Sequence, residues 1–357
     1  MALPSSGTIS LSDLQTEFGG SNPISLSEYY QNASPDLVTA NNTNVPNTGN
    51  PIDLSDFYGA VKTFSYTFSS NAQEVDLNAT LTTAGWNGSD PVSVTINSGI
   101  YIWSDDVTTA ALSISSSLHN LLTITNNGYI IGRGGDAGTG SNSYDGQNGG
   151  PAISNLADGV TLTNASGAYI AGGGGGGSGV YGGGGAGGGA GGGLNGGTGG
   201  AVGASGSNGS YSGTNATSAY GRGGGSGGGA GGSAYNNDGP PNQSVVGDGG
   251  GGGRILPGTG GSGGSSSASD WNWTGGSGGS SGSTGGNGTV YFTNNGDSAS
   301  PSGGGGGWGA AGGQGYGQFS APSSPYTIGT PGSGGAAISG TAIATYTNNG
   351  TVYGSVA

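Results

Sequence analysis

The sequence predicts a mostly β and irregular fold in three parts. These are an N-terminal docking segment with short helices (residues 1–60), an antiparallel β-domain (61–131) and a glycine-rich bundle of polyglycine-II helices (132–357). Three observations lead to this prediction. A helix-start motif occurs three times before residue 60, apolar residues then alternate with a period of two, and glycine, with 91 of 357 residues, dominates the remainder.

The helix-start motif spans Ile9–Leu14 and recurs at Ile24–Tyr29 and Ile52–Phe57. In each copy Ser or Asp can cap a helix, an acidic residue three positions later completes a capping box, and the flanking apolar residues can close a hydrophobic staple. Three short helices bury little surface by themselves. We therefore expect the segment to dock on a partner protein, with a small self-sufficient subdomain as the alternative. The predicted docking residues are Ile9, Leu14, Ile24, Tyr29, Ile52 and Phe57.

Residues 61–131 show the alternation of half-buried strands, as in Phe64, Tyr66 and Phe68. A Thr-Asn repeat begins near residue 120 and occurs at 124–132, 162–172, 292–296 and 346–354. Its Asn-Gly pairs favour tight turns. The repeat is either a strand–turn–strand clamp at the edge of the glycine bundle or one turn of a solenoid.

The glycine-rich part is most extreme at residues 171–201, which have almost no side chains. Every residue there carries an N–H and a C=O group that need partners when buried. A left-handed helix with three residues per turn points these groups sideways. Several such helices could then hydrogen-bond to one another, and the sequence therefore predicts a bundle.

Charge and composition exclude several functions. The net charge is −14, with only four Lys and Arg residues, which argues against binding to nucleic acid or anionic membranes. There is no cysteine for a disulfide framework. No secretory signal and no apolar run of about 20 residues is visible. We expect synthesis in a cytoplasm and no membrane insertion.

The sequence supports no catalytic, metal or cofactor site. His119 is the single histidine, so neither a zinc site nor a Ser-His-Asp triad has enough candidates. A carboxylate pair could come only from scattered residues such as Glu74, Asp90, Asp105 and Asp106. We therefore expect no catalytic residues, no metal and no cofactor, which indicates a non-enzymatic protein.

Aromatic segments between the glycine runs have the Tyr, Ser, Gly, Asn and Trp composition of a binding surface. The alternative is that aromatic rings cover the glycine core and exclude water, and the two interpretations are equal for Tyr101, Trp103, Tyr169 and Trp308. We expect segments 205–220 and 265–274 to lie at the same end of the bundle. The predicted receptor-binding residues are Tyr144, Tyr211, Tyr220, Tyr235, Trp271, Trp273, Tyr316 and Phe319.

Several of these stretches resemble phage tail-fibre tip adhesins with glycine-rich repeats, of the T-even-like type. The resemblance covers roughly residues 120–357 and rests on 126–138, 166–179, 182–193 and 346–354, while 6–30 is similar to the start of many phage tail proteins. It implies a virion protein, made in the host cytoplasm, that presents variable loops to a host surface receptor, an outer-membrane protein or a glycan. Its N-terminal segment would bind other tail or fibre proteins. A purely structural tail or fibre component is the alternative.

Overall fold

The computed structural model describes residues 3–31, 42–136, 138, 145–179, 233–237, 243–247, 265–268, 271–274, 276–280, 282–292, 298–301, 303–316 and 328–357. Its first part is a small helical module. Helix α1 (Leu11–Phe18) is followed by 3₁₀ turns at Leu26–Tyr29 and Leu54–Phe57. Capping boxes begin α1 and the second 3₁₀ turn, where Ser10 pairs with Asp13 and Asp53 with Asp56.

A three-sided parallel β-solenoid follows the helical module. Each turn of the chain, here called a rung, adds one strand to each of three sheets, A, B and C, and all pairings are parallel. Helix α2 (Leu77–Thr83) lies between the first two rungs. An isolated parallel bridge from Ile338 to Val356 continues sheet C at the fifth rung.

The strands of the solenoid are as follows. Sheet A contains β1 (Phe64–Phe68), β4 (Val92–Ile96), β7 (Leu122–Asn126), β10 (Thr161–Asn164) and β19 (Thr345–Asn348). Sheet B contains β2 (Ala72–Gln73), β5 (Tyr101–Trp103), β8 (Tyr129–Ile131), β11 (Tyr169–Ala171) and β20 (Thr351–Tyr353). Sheet C contains β3 (Val75–Asp76), β6 (Leu112–Ile114), β9 (Ile153–Asn155) and β18 (Ile338–Gly340).

The solenoid core consists of apolar residues that repeat at the same position of successive rungs. On sheet A, Val94 pairs with Ile124 and Ile124 with Leu162, and all three are buried. At the corner between sheets A and B, the Asn164 side chain accepts a hydrogen bond from Asn126 and donates one to Asn348, both at 2.8 Å. Three copies of the Thr-Asn repeat therefore form solenoid turns, which decides between the two interpretations of that repeat.

The predicted fold class is wrong in two respects. The strands of residues 61–131 are parallel rather than antiparallel, because each strand is followed by a bend into the next sheet and not by a reversal. The bundle of polyglycine-II helices is not found either: after residue 131 the regular elements of the described residues are strands. The glycine runs between 182 and 253 lie outside those residues. The domain boundaries at 60 and 131 stay predictions, and β9–β11 and β18–β20 extend the three sheets beyond residue 131.

The chain leaves the solenoid repeatedly at one corner, between sheet B and sheet C. The connections there are 104–111 in the second rung, 132–152 in the third and 172–337 in the fourth. Glycine-rich segments of the two longer connections bond to each other through the backbone. Gly135 N–H donates to Gly174 O at 2.8 Å, for example, and Gly173 N–H donates to Gly150 O at 2.9 Å. These segments lie too close together for side chains, since a Cβ on Gly173 would be 1.7 Å from the carbonyl oxygen of Arg133.

The longest connection also carries two small sheets. The first contains β12 (Ser233–Asn237), β13 (Gln243–Gly247) and β17 (Ser298–Pro301). The second contains β14 (Ser265–Ala268), β15 (Trp271–Thr274) and β16 (Thr289–Phe292). The two sheets are neighbours, because β12 contacts β14, and β17 contacts both β15 and β16.

Candidate functional site

Two β-hairpins carry three of the predicted receptor-binding residues. Tyr235 lies on β12, which pairs antiparallel with β13, and Trp271 and Trp273 lie on β15, which pairs antiparallel with β14. The sequence explains both reversals. The first connection, 238–242, contains Asp, Gly and two Pro residues, and the second consists of Ser-Asp.

The register of the second hairpin collects apolar and aromatic positions. Trp271 is opposite Phe292, and Trp273 is opposite Val290. Residues two apart on a strand, and residues directly opposite each other, occupy the same face of a sheet. These four positions, here called the tryptophan face, therefore share one face of the β14–β15–β16 sheet.

The hairpins containing Tyr235 and the two tryptophans lie side by side, since their sheets contact each other. The sequence led us to expect segments 205–220 and 265–274 at the same end of the bundle, but 205–220 lies outside the described residues. The structure places the 233–247 hairpin beside the 265–274 hairpin. Tyr235, Trp271 and Trp273 therefore belong to neighbouring strands although up to 38 residues separate them in sequence.

Of the remaining predicted binding residues, the structure describes one, Tyr316. Tyr316 ends the described segment 303–316 and is 41% exposed. The other four lie outside the described residues: Tyr144, Tyr211, Tyr220 and Phe319.

A stack of tyrosines along the outer face of sheet B, here called the tyrosine ladder, was not anticipated from the sequence. The rings of Tyr101 and Tyr129 have centroids 4.7 Å apart with an angle of 35° between their planes. Tyr129 and Tyr169 follow at 4.9 Å and 16°. The signal in the sequence was a Tyr-Ile pair at the start of three successive strands, β5, β8 and β11.

Trp308 packs at one end of the tyrosine ladder. It is fully buried with Ile131 and Ala171, and its ring lies 6.2 Å from Tyr169 and 5.6 Å from Tyr353. Burial also raises the pKa of Tyr101 above its usual value, and the neighbouring tyrosines add to this shift. Trp308 is therefore packed inside the molecule at this corner, and the rings of the ladder stack on one another.

The six predicted docking residues pack against one another. Leu14, Phe57, Tyr29 and Ile9 are buried, and Ile24 and Ile52 pack at the edge of the same cluster. The Tyr29 hydroxyl also donates a hydrogen bond to Gly19 O at 2.6 Å. These side chains hold the helical module together, so a partner would contact the outer surface of the module.

Two of the residues considered for catalytic or metal sites, Glu74 and His119, have partners within the protein. Glu74 accepts hydrogen bonds from the Ser104 hydroxyl at 3.0 Å and from the Asp105 N–H at 3.2 Å. His119 lies 3.4 Å from Asp158 at the surface. No cluster of His, Asp or Glu suited to a metal occurs among the described residues. In the same part of the chain, no helix is long and apolar enough to cross a bilayer.

Comparison with known proteins gave two matches. A family model described as "Phage tail fibre adhesin Gp38" matches residues 63–241. No curated protein matches the chain. Among solved structures, the chain is similar to the "Crystal structure of the gp37-gp38 adhesin tip complex of the bacteriophage S16 long tail fiber", at 17% sequence identity and a TM-score of 0.39, over 98% of this chain and 99% of that one. The family match begins just before β1 and reaches β12, where Tyr235 lies.

Proposed function

Because the chain belongs to the family of phage tail fibre adhesins described as Gp38, we propose that it binds a receptor on the host bacterial surface through the hairpins β12–β13 and β14–β15. The family match confirms the resemblance seen in the sequence and identifies a tail fibre protein of the virion. The receptor, an outer-membrane protein or a glycan, and the residues that contact it are parts of the proposal.

The tryptophan face is the observation that carries the proposal. Tyr and Trp provide large, rigid contact surfaces and lose little conformational entropy on binding. Such residues dominate binding energy when they are clustered at the centre of an interface. Trp271 and Trp273 are paired in register with Phe292 and Val290, and Tyr235 lies in the neighbouring sheet. Ser and Asn residues on the same strands could supply adaptable hydrogen bonds.

The position of the hairpins also favours recognition. Both hairpins belong to the long connection between β11 and β18. The solenoid can therefore support the hairpins without itself contacting the receptor. Binding residues commonly lie on connections supported by a rigid scaffold. The charge of −14 would repel polyanions, which favours a receptor site that is neutral or cationic.

We further propose that the helical module of residues 1–60 attaches the adhesin to other tail or fibre proteins. The same capping motif occurs three times in the module, and the apolar residues of the three copies form one cluster inside it. This cluster is separate from the solenoid core. The module could therefore bind a partner without disturbing the sheets. In this proposal the adhesin does not bind nucleic acid, does not insert into a membrane and needs no cofactor.

Replacement of Trp271 and Trp273 by Ala together tests the receptor proposal. Central aromatic anchors typically cost more than about 2 kcal/mol when truncated, so the double variant should lose at least about thirtyfold in affinity for host cells. The measurement is binding of the purified, labelled protein to host cells, with circular dichroism as the folding check. Thr123→Ala, an exposed position on sheet A, is the matched control and should bind like the unaltered protein.

Two results would overturn the proposal. Undiminished binding by the folded double variant would place recognition elsewhere in the molecule. If the unaltered protein does not bind host cells at all, although virions that carry it adsorb normally, the alternative of a purely structural tail component would hold.

A further inference from the structure

The tyrosine ladder places three phenol rings within reach of one another across three rungs. The Tyr101–Tyr129 and Tyr129–Tyr169 centroid distances of 4.7 and 4.9 Å are at the short end of the range for aromatic pairs. The register fixes this arrangement, because the three residues are direct partners in the parallel pairing of β5, β8 and β11. The rings therefore remain adjacent as long as sheet B is intact.

The same rings are accessible to small solutes. Tyr101, Tyr129 and Tyr169 are each half-buried. In the described part of the chain, none of their three hydroxyl groups has a hydrogen-bond partner from the protein. The other tyrosines with described ring neighbours differ: Tyr29 lies against Phe18 and Phe57, Tyr66 against Phe68, and Tyr353 against Trp308. Tyrosine-on-tyrosine stacking within the described residues is thus confined to the ladder.

We propose that the tyrosine ladder is an oxidative cross-linking site, at which a one-electron oxidant of the peroxidase–hydrogen peroxide class joins adjacent rungs through a dityrosine bond. Each of two neighbouring phenols loses one electron and one proton to form a phenoxyl radical. The two radicals combine through ring carbons ortho to oxygen, and the hydrogens on those carbons move to the phenol oxygens as both rings become aromatic again. One hydrogen peroxide accepts the two hydrogen atoms and becomes two waters.

The consequence for the protein is a covalent staple in a chain that has no cysteine. A bond between Tyr129 and Tyr169 would close a covalent loop that contains the connection 132–152, at the corner where the glycine-rich segments leave the solenoid. Cross-links of this kind stabilise a fold mainly by restricting its unfolded state, and the glycine-rich chain has much freedom to lose. Oxidised protein should therefore unfold at a higher urea concentration than untreated protein.

The positions of Lys and Arg allow a direct test. Complete trypsin digestion after unfolding cuts at Lys62, Arg133, Arg222 and Arg254, so Tyr101 and Tyr129 fall in peptide 63–133 and Tyr169 falls in peptide 134–222. Dilute protein is treated with peroxidase and hydrogen peroxide and then digested, and the masses of the peptides are measured by mass spectrometry. We expect peptides 63–133 and 134–222 joined with the loss of two hydrogens, or peptide 63–133 lighter by two hydrogens, together with dityrosine fluorescence.

Phenylalanine variants identify the participating rings while preserving the stack. Tyr129→Phe should abolish both products, Tyr101→Phe should leave the joined peptides in place, and Tyr66→Phe is the matched control that should change nothing. Unaltered protein that yields neither product would overturn the proposal. So would equal dityrosine in Tyr129→Phe, or cross-links found only between separate molecules. Receptor binding is measured separately, so the outcome does not depend on the proposed adhesin site.

Discussion

Replacing Gly173 by Ala should strongly destabilise the adhesin, although the change adds a single methyl group. Gly173 is buried where three chain segments meet. Its N–H donates to Gly150 O at 2.9 Å, and its carbonyl accepts from the Gly335 N–H at 2.7 Å. A Cβ at this position would lie 1.7 Å from the carbonyl oxygen of Arg133, which is backbone and has no rotamer with which to move away.

The size of the effect follows from the hydrogen bonds that the displaced backbone would lose. The Arg133 carbonyl also accepts from the Gly150 N–H at 2.7 Å, so relieving the clash would stretch two or more buried bonds. Each buried group left unpaired costs about 1–3 kcal/mol, or about 2–6 kcal/mol for two. That is a large part of the total of about 5–15 kcal/mol typical of folded proteins.

Gly85→Ala is the matched control, because Gly85 has a φ of +101° and nothing within 4 Å of an added Cβ. Its cost should be limited to backbone strain of about 1–2 kcal/mol. The assay is equilibrium urea unfolding followed by circular dichroism and tryptophan fluorescence. If Gly173→Ala lowers the unfolding free energy by no more than Gly85→Ala does, close backbone contact does not order these segments.

Two further outcomes are expected. Deletion of residues 1–60 should abolish incorporation of the protein into virions. Circular dichroism should show that the sheets remain folded, because the apolar clusters of the helical module and the solenoid are separate. Incorporation of the shortened protein at normal copy number would place docking elsewhere. Hydrogen bonds from the N–H and hydroxyl of Thr330 hold the pKa of the Asp145 carboxyl below its usual value of 3.8. The ionised carboxylate therefore stabilises the fold fully above pH 3.8, and this stabilisation should be lost as the pH falls below 3.8. Unfolding measured from pH 6 to pH 2 should show a smaller loss in Asp145→Asn than in the unaltered protein, and identical pH profiles would contradict this.

Alternation predicts β1, β4 and β7 but not how they pair, and it misleads at Leu77, Ala79 and Leu81, where the same period of two would indicate a strand but the chain forms helix α2. Alternation in β4 and β7 marks their buried residues, and the same alternation suits parallel and antiparallel neighbours. Parallel and antiparallel pairing could be distinguished by the number of residues between successive repeats. Ile124 and Leu162 are equivalent positions of successive rungs, but the connection at 132–152 lies between them and obscures the period. In the fourth rung, a connection of more than 160 residues hides it completely.

The candidate site shows a similar limit. Composition alone indicated Tyr235, Trp271 and Trp273, because Tyr and Trp among Ser, Gly and Asn residues are typical of binding surfaces. Their grouping into adjacent hairpins depends on pairings between strands far apart in sequence, such as β13 with β17, which no local pattern encodes. The six docking residues were recognised as apolar helix positions, but the sequence could not tell whether they face a partner or one another.

The corner between sheets B and C would allow the fold to change the proposed binding surface without changing its core. The long connection starts after β11 and ends before β18, and these strands belong to the same rung. Its two ends are held together, since the Gly335 N–H donates to Gly173 O at 2.7 Å. Loop-closure entropy rises only slowly with length, so a connection whose ends are already adjacent can grow at little further cost. The sheets would therefore tolerate changes in the hairpins, whereas a side chain added at Gly173 would act on the corner that supports them.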